Sequence, residues 1–274
     1  LEIQNGDGVC IALQSLKATE PKKVEDNMSE KDVEKLKEDT KNNLLHLQNA
    51  MPDATTADSY TPEQAAEINQ KVSTYVESTF SEPKALSTES ANVGLSITEA
   101  CLSDPEKIVD VSKKEQILLS ATSIVSNSLS ISHDDDDDND DGDNGSGEND
   151  NSGSGDTSSN NDGTAKKKKI LSPEKREKIE QFTKKLNAVV SSIGKMSAST
   201  LKIDSPPKVL ATKDIVITAE KRKPASLSER PFTGGANTTF QYNFTIPKVL
   251  SNALASLSSV ETTVVNWNKN PYEA

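Results

Sequence analysis

A run of 31 residues from Asp134 to Thr164 constrains the fold of this chain more than any other feature. It holds 12 Asp or Glu residues, no Lys or Arg, and half of the chain's 12 glycines. Such a segment buries too little apolar surface to offset the entropy lost when its backbone is ordered. We therefore expect a disordered acidic insert at residues 134–169, which ends in the lysines Lys166–Lys169.

Outside this run the chain is electrically balanced, with 31 acidic and 31 basic residues, although the formal net charge of the whole is −12. A balanced chain without a basic face predicts no nucleic-acid partner. No apolar stretch approaches the ~20 residues that span a bilayer, so we expect no membrane insertion within this chain. It begins at Leu1 without a signal-peptide pattern, and we interpret it as a segment of a larger protein.

Helical signals fill the chain up to about residue 200. Thr61-Pro62-Glu63-Gln64 combines a capping hydroxyl, a proline suited to the first turn and a Gln at capping-box spacing. Ser112 and Glu115 predict another capping box, and Ser172-Pro173 restarts helix after the insert. Apolar residues at helical spacing then predict five helices, including a weaker one over residues 87–102 that contains Asn92 and Gly94.

After about residue 200 the spacing between apolar residues changes from the 3.6-residue period of a helix to the two-residue period of a strand. Residues 209–219, 238–246 and 260–267 predict strands, and 248–257 predict a short helix or turn. In the second strand Phe240, Tyr242 and Phe244 share one side, which leaves Asn243 on the other.

Helices followed by strands predict an α+β fold, in which an N-terminal helical bundle precedes an incomplete antiparallel sheet. The predicted organisation is a helical subdomain at 1–133, the insert at 134–169, a helix at 170–200 that completes the bundle, and a β-rich subdomain at 201–274. We expect the bundle to pack against one sheet that contains Ile215, Phe240 and Val264.

The insert matches the calcium-loop pattern of EF-hands through Asp137, Asn139, Asp141 and Glu148. A run this rich in Asp and Asn satisfies the pattern by chance, and no predicted helix flanks it closely. We favour a solvated linker over a calcium site. No cofactor, metal centre or catalytic motif is predicted, and His46 and His133 are interpreted as exposed rather than as ligands.

Covalent modification offers two further candidates. Glycosylation sequons occur at Asn27, Asn144, Asn237 and Asn243, of which the last has the best strand context. The cysteines Cys10 and Cys101 are too far apart for a Cys-x-x-Cys site. They form one disulfide if the protein is secreted, and two buried thiols otherwise.

The C-terminal block resembles a known family. Phe240-Gln-Tyr-Asn-Phe-Thr-Ile-Pro247, a Leu-rich turn, a Val-rich strand and Trp267-Asn-Lys-Asn-Pro-Tyr272 are similar to the upstream part of a GAIN-type region. Such regions occur in adhesion receptors and in polycystin-type receptors with egg-jelly-receptor modules. The resemblance implies a helical subdomain followed by a β-rich one, outside the cell. The family's late His-x-Thr/Ser cleavage motif is absent, so the resemblance assigns no autoproteolysis here.

Two functional hypotheses follow. The first is a non-enzymatic stalk or scaffold at the cell or ciliary surface, which contacts protein partners or neighbouring domains of its own chain. The alternative is an intracellular helix-rich scaffold with the acidic run as a flexible tether.

Overall fold

The structure is a computed structural model. It describes residues 12, 24–25, 27–51, 60–131, 172–229, 231–234, 242–269 and 271. The predicted acidic insert lies outside these residues, as does Phe240.

Six α-helices are present in the described ranges, mostly before the strands. Their bounds are α1 Glu30–Ala50, α2 Pro62–Phe80, α3 Thr88–Leu102, α4 Val111–Ser128, α5 Pro173–Ser199 and α6 Lys248–Ala253. The predicted capping box of α2 is present, with Thr61 and Gln64 each accepting a backbone N–H of the other. Ser172 likewise caps α5 ahead of Pro173.

The helices α2 to α5 alternate in direction around one core. The pairs Gln70–Gln116 and Glu77–Ser120 both join α2 to α4, and their order along the two helices shows that α2 and α4 run parallel. Lys185 of α5 donates to Ser96 of α3, and α1 lies against α3. The result is a four-helix arrangement with α1 on its flank.

The main sheet has three antiparallel strands, β1 Lys208–Ala211, β2 Ile215–Arg222 and β5 Val260–Trp267, with β2 in the centre. Strand β2 packs against α5, and its alternate residues Ile215, Ile217 and Ala219 are fully buried. Leu210, Ile215 and Ile217 belong to the same hydrophobic core as the helices. The α+β class is therefore confirmed, and helices and sheet share one core.

The strand around Asn243 departs from the prediction of a single sheet. Its described part, β4 Tyr242–Phe244, pairs with β3 Phe232–Gly234 in a separate two-stranded sheet. The prediction that one sheet contains Ile215, Val264 and this strand is wrong for its described part, because Ile215 and Val264 lie in the main sheet and β4 lies in the other. Alternation alone fixes which side chains share a face, but it does not choose the neighbouring strand.

Two helical details also differ from expectation. Asp110, and not Ser112, caps α4, because its carboxylate accepts the backbone N–H groups of Ser112 and Lys113. Helix α3 is continuous through Gly94, and this glycine allows the Phe80 ring of α2 to approach the backbone of α3. A Cβ at position 94 would lie 2.6 Å from Cζ of Phe80, so packing explains the glycine inside the helix.

Candidate functional site

The structure describes only some of the residues singled out from the sequence. The calcium candidates Asp137, Asn139, Asp141 and Glu148 lie outside the described residues, as do the sequons at Asn144 and Asn237. Cys10 lies outside them too. Asn27, Asn243 and Cys101 are described. What was expected of the residues outside the described ranges stays a prediction.

Asn243 lies on the exposed side of β4, where it pairs with Thr233 in register and faces away from its aromatic neighbour. That neighbour, Phe244, stacks on Phe232 with ring centroids 5.1 Å apart and an interplanar angle of 15°. Phe232 is fully buried, so the stack holds β4 on the protein while the Asn243 side chain stays in solvent. Asn27 is also exposed, just before the Ser29 cap of α1.

Cys101 lies near the end of α3 and is fully buried. Burial raises the pKa of its thiol to about 12, against a smaller lowering by the Ser73 hydroxyl. At neutral pH the group is therefore a protonated thiol with little nucleophilic character. A disulfide to Cys10 would require Cys10 to reach the core.

No group of three or more His, Cys, Asp or Glu residues that could hold a metal ion occurs in the described ranges. His46 is exposed on α1. None of the helices in the described part is long and apolar enough to cross a membrane. Three groups of contacts stand out among the described residues: two join the main sheet to the helices, and one joins the two sheets.

The first of these contacts centres on Asp214, in the turn between β1 and β2. Its carboxylate accepts a 2.8 Å hydrogen bond from the Ser126 hydroxyl near the end of α4. Its backbone oxygen accepts from the backbone N–H groups of Asn268 and Lys269, at 2.8 and 3.3 Å. The ammonium of Lys269 donates to the carbonyl of Leu129. One residue thus ties the end of α4 to the end of β5, and we call this set the Asp214 junction.

A second contact joins β5 to α5. Gly194 of α5 packs against Thr263. Further along α5, the Thr183 hydroxyl donates to the Ile179 carbonyl at 2.8 Å and lies 3.4 Å from the carbonyl oxygen of Pro271. These two positions are eleven residues apart on α5, so the helix supports β5 over most of its length.

The third feature is a charged and aromatic stack at the other end of β2. Arg222 pairs with Glu220, and its guanidinium lies 4.2 Å from the centroid of the Phe232 ring. The side chains of Glu220 and Arg222 are only 6% and 11% exposed. Together with the Phe232–Phe244 pair they connect the two sheets.

Sequence reasoning missed these junction residues. Asp214 and Glu220 are ordinary polar positions in a β pattern. The partner of Asp214, Ser126, is 88 residues away in the sequence, and the partner of Glu220, Arg222, is two residues away. The local signal that existed was Thr212-Lys-Asp214, where the Thr212 hydroxyl accepts the backbone N–H groups of Asp214 and Ile215. This turn pattern predicts a tight connection, but not its contact with α4.

Comparison with known proteins identifies no family for this chain. No protein-family model matches it, and no curated protein matches it.

Proposed function

We propose that this chain is a non-enzymatic structural segment of an extracellular, polycystin-like or adhesion-type surface protein, in which it acts as a scaffold for neighbouring domains. The observation that carries the proposal is the Asp214 junction. A scaffold must hold its strands to its helices. Strand β5 is held to α4 at one point, by the Asp214 carboxylate, by the backbone N–H groups of Asn268 and Lys269, and by the Lys269 ammonium.

Electrostatics and packing at the junction support a rigid connection. The Asp214 side chain is 15% exposed, so its hydrogen bond to Ser126 is partly shielded from water. Gly194 lets β5 lie directly on α5. A load that enters through β5 therefore passes to α5 through packing at Gly194 and to α4 through the hydrogen bonds of Asp214.

The extracellular location is supported by the sequon at Asn243, whose side chain is exposed on a strand anchored by a buried aromatic stack. A glycan at this position would extend into solvent without displacing packed atoms. The resemblance to the GAIN-type region supports the same location.

Native-state hydrogen exchange tests the scaffold role. We expect the amides of β5, α4 and α5 to exchange with one common free energy of opening, because the junction couples them. Opening of β5 at a free energy lower than that of α5 by more than about 2 kcal/mol would contradict the proposal.

The alternative function is an intracellular scaffold, and one observation favours it. Cys101 is fully buried with a raised pKa, a setting that suits a permanently reduced core cysteine. A glycan on Asn243 of the native protein would favour the extracellular location, and an unmodified Asn243 would favour the intracellular one.

A further inference from the structure

Strands β2 and β5 are neighbours in the main sheet although a long stretch of sequence separates them. The last residues in their ladder, Arg222 and Val260, pair directly with each other. The chain between them, residues 223–259, therefore leaves the sheet and returns to it at adjacent positions. It carries a short 3-10 helix at Pro224–Leu227, then β3, β4 and α6. Movement of these elements requires no change in the pairing of β2 with β5.

The start of this stretch is held to the rest of the protein. Asp204, in the connection between α5 and β1, accepts the backbone N–H of Lys223 at 3.2 Å and the hydroxyl of Ser226 at 3.1 Å through its carboxylate. The backbone N–H of Asp204 donates to the carbonyl of Lys221 at 2.7 Å. Residues 222–227 are therefore fixed in place, and we call them the anchor segment.

Strand β3 attaches to the anchor segment through an aromatic ring. The ring centroid of Phe232 lies 4.2 Å from the guanidinium carbon of Arg222, and Phe244 of β4 stacks on Phe232. Leu227 and Phe232 are fully buried. Among the described residues, however, neither belongs to the hydrophobic core that the helices share with the main sheet. The burial that fixes the two-stranded sheet is therefore separate from the main core.

Helix α6 attaches to the same anchor segment. The buried Ser251 hydroxyl donates to the carbonyl of Pro224, and α6 packs against the 3-10 helix. The side chain of Val249 is 82% exposed and that of Leu250 is 49% exposed, so α6 buries little apolar surface. Because only residues 245–247 separate β4 from α6, displacing one element by more than a distance on the order of 10 Å carries the other with it.

We propose that β3, β4 and α6 form a strap that opens from the anchor segment as one unit while the helices and the main sheet stay folded. In the closed form the Phe232 ring covers the guanidinium of Arg222, whose side chain is 11% exposed. In the open form this guanidinium enters solvent at the end of the main sheet. Segments that bury few apolar side chains open below the global free energy of unfolding. The proposal goes beyond the scaffold role and does not depend on it.

Native-state hydrogen exchange of the full chain tests the strap. The reporters are the amides bonded between β3 and β4, together with those of Ser251 and Leu254, which donate to the carbonyls of Pro247 and Leu250. We expect all of them to share one protection factor, at least about thirtyfold lower than that of the amides bonded between β2 and β5. Equal protection of the strap and the main sheet would overturn the proposal, because the two would then open only together.

Two substitutions at the attachment points test whether the strap opens as one unit. Phe244→Ser removes the ring stacked on Phe232, and should lower the protection of the α6 amides by about tenfold although the change lies in β4. Ser251→Ala removes the bond to Pro224, and should lower the protection of the β3–β4 amides by about fivefold. Val249→Thr, at an exposed position of α6, is the control and should leave both unchanged. Effects confined to the substituted element would overturn the single unit.

Modification of arginine by phenylglyoxal, located by mass spectrometry, measures the open form directly. Arg176 of α5 is exposed and serves as the reference in the same sample. Phe244→Ser should raise the rate at Arg222 by about tenfold and leave that at Arg176 unchanged, because Arg222 reacts when Phe232 leaves it. An unchanged rate at Arg222 would overturn its coverage by the strap. Equal protection of strap and sheet, alongside common exchange of β5 and α5, would remove the strap and leave the scaffold role in place.

Discussion

Gly194 of α5 lies directly beneath Thr263 of β5, so close that the helix has no room for any side chain. A Cβ at position 194 would lie 2.8 Å from the Thr263 Cβ, and closer still to both of its γ atoms. The sheet rests on the helices at this point by backbone-to-side-chain contact.

Gly194→Ala should therefore destabilise the protein, although alanine is the better helix former. Either β5 or α5 must move, which costs about 1–3 kcal/mol in the free energy of unfolding, measured by urea denaturation. Ser191→Ala on the exposed side of the same helix is the control, and should change that free energy by less than about 0.5 kcal/mol. Equal stability of the two variants would show that the contact is loose.

Asp214→Ala should lower the free energy of unfolding by about 1–3 kcal/mol, because it leaves the partly buried Ser126 hydroxyl without its charged partner. Asp104, which pairs with Lys107 on the surface, supplies the control. Asp104→Ala should cost less than about 1 kcal/mol. In hydrogen exchange only Asp214→Ala should let the β1–β2 turn and the end of β5 open before α4, because the turn then loses its bond to Ser126. Unchanged coupling to α4 would contradict the junction.

The sequence predicts the helices well and the contacts between elements poorly, for a physical reason. The helix starts are set by short segments, Thr61-Pro62 and Ser172-Pro173, whose capping side chains bind backbone N–H groups three residues away. A short stretch of sequence is therefore enough to predict them. The partner of Asp214 on α4 is 88 residues away and depends on how the layers pack. Gly94 weakened the predicted helix α3, yet the Phe80 ring that it accommodates belongs to another helix.

Arg222→Ala should cost about 3 kcal/mol or more, because it leaves the Glu220 carboxylate buried without its cation and removes the support under Phe232. Replacing both charges, as in Glu220→Val with Arg222→Met, should recover at least half of that loss, since no charge then remains buried. Thermal and urea unfolding of both variants give the comparison. Strictly additive losses in a full double-mutant cycle would show that the two side chains are not coupled.

The buried thiol of Cys101 makes stability fall at high pH. Its pKa is raised from 9.0 to about 12 by burial, so its contribution is fully present below pH 9 and is lost as the pH rises toward 12. Within that window the free energy of unfolding should fall by up to ~1.4 kcal/mol per pH unit more than in Cys101→Ala. Parallel pH profiles of the two proteins would show that the thiol is accessible to water.

Cys101 should also resist alkylation by a maleimide at neutral pH until the protein opens, because its thiol is protonated and buried. Its labelling rate, followed by mass spectrometry, should rise with urea in step with unfolding. Rapid labelling without denaturant would contradict the burial of this residue.

The location and role proposed for the chain are tested most directly by a non-reduced peptide mass map of the protein purified from its native source. The account predicts an N-linked glycan at Asn243, whose side chain is exposed on β4. A Cys10–Cys101 linkage in the same map would place the chain in an oxidising compartment as well. An unmodified Asn243 together with two reduced cysteines would contradict the extracellular assignment and favour the intracellular scaffold.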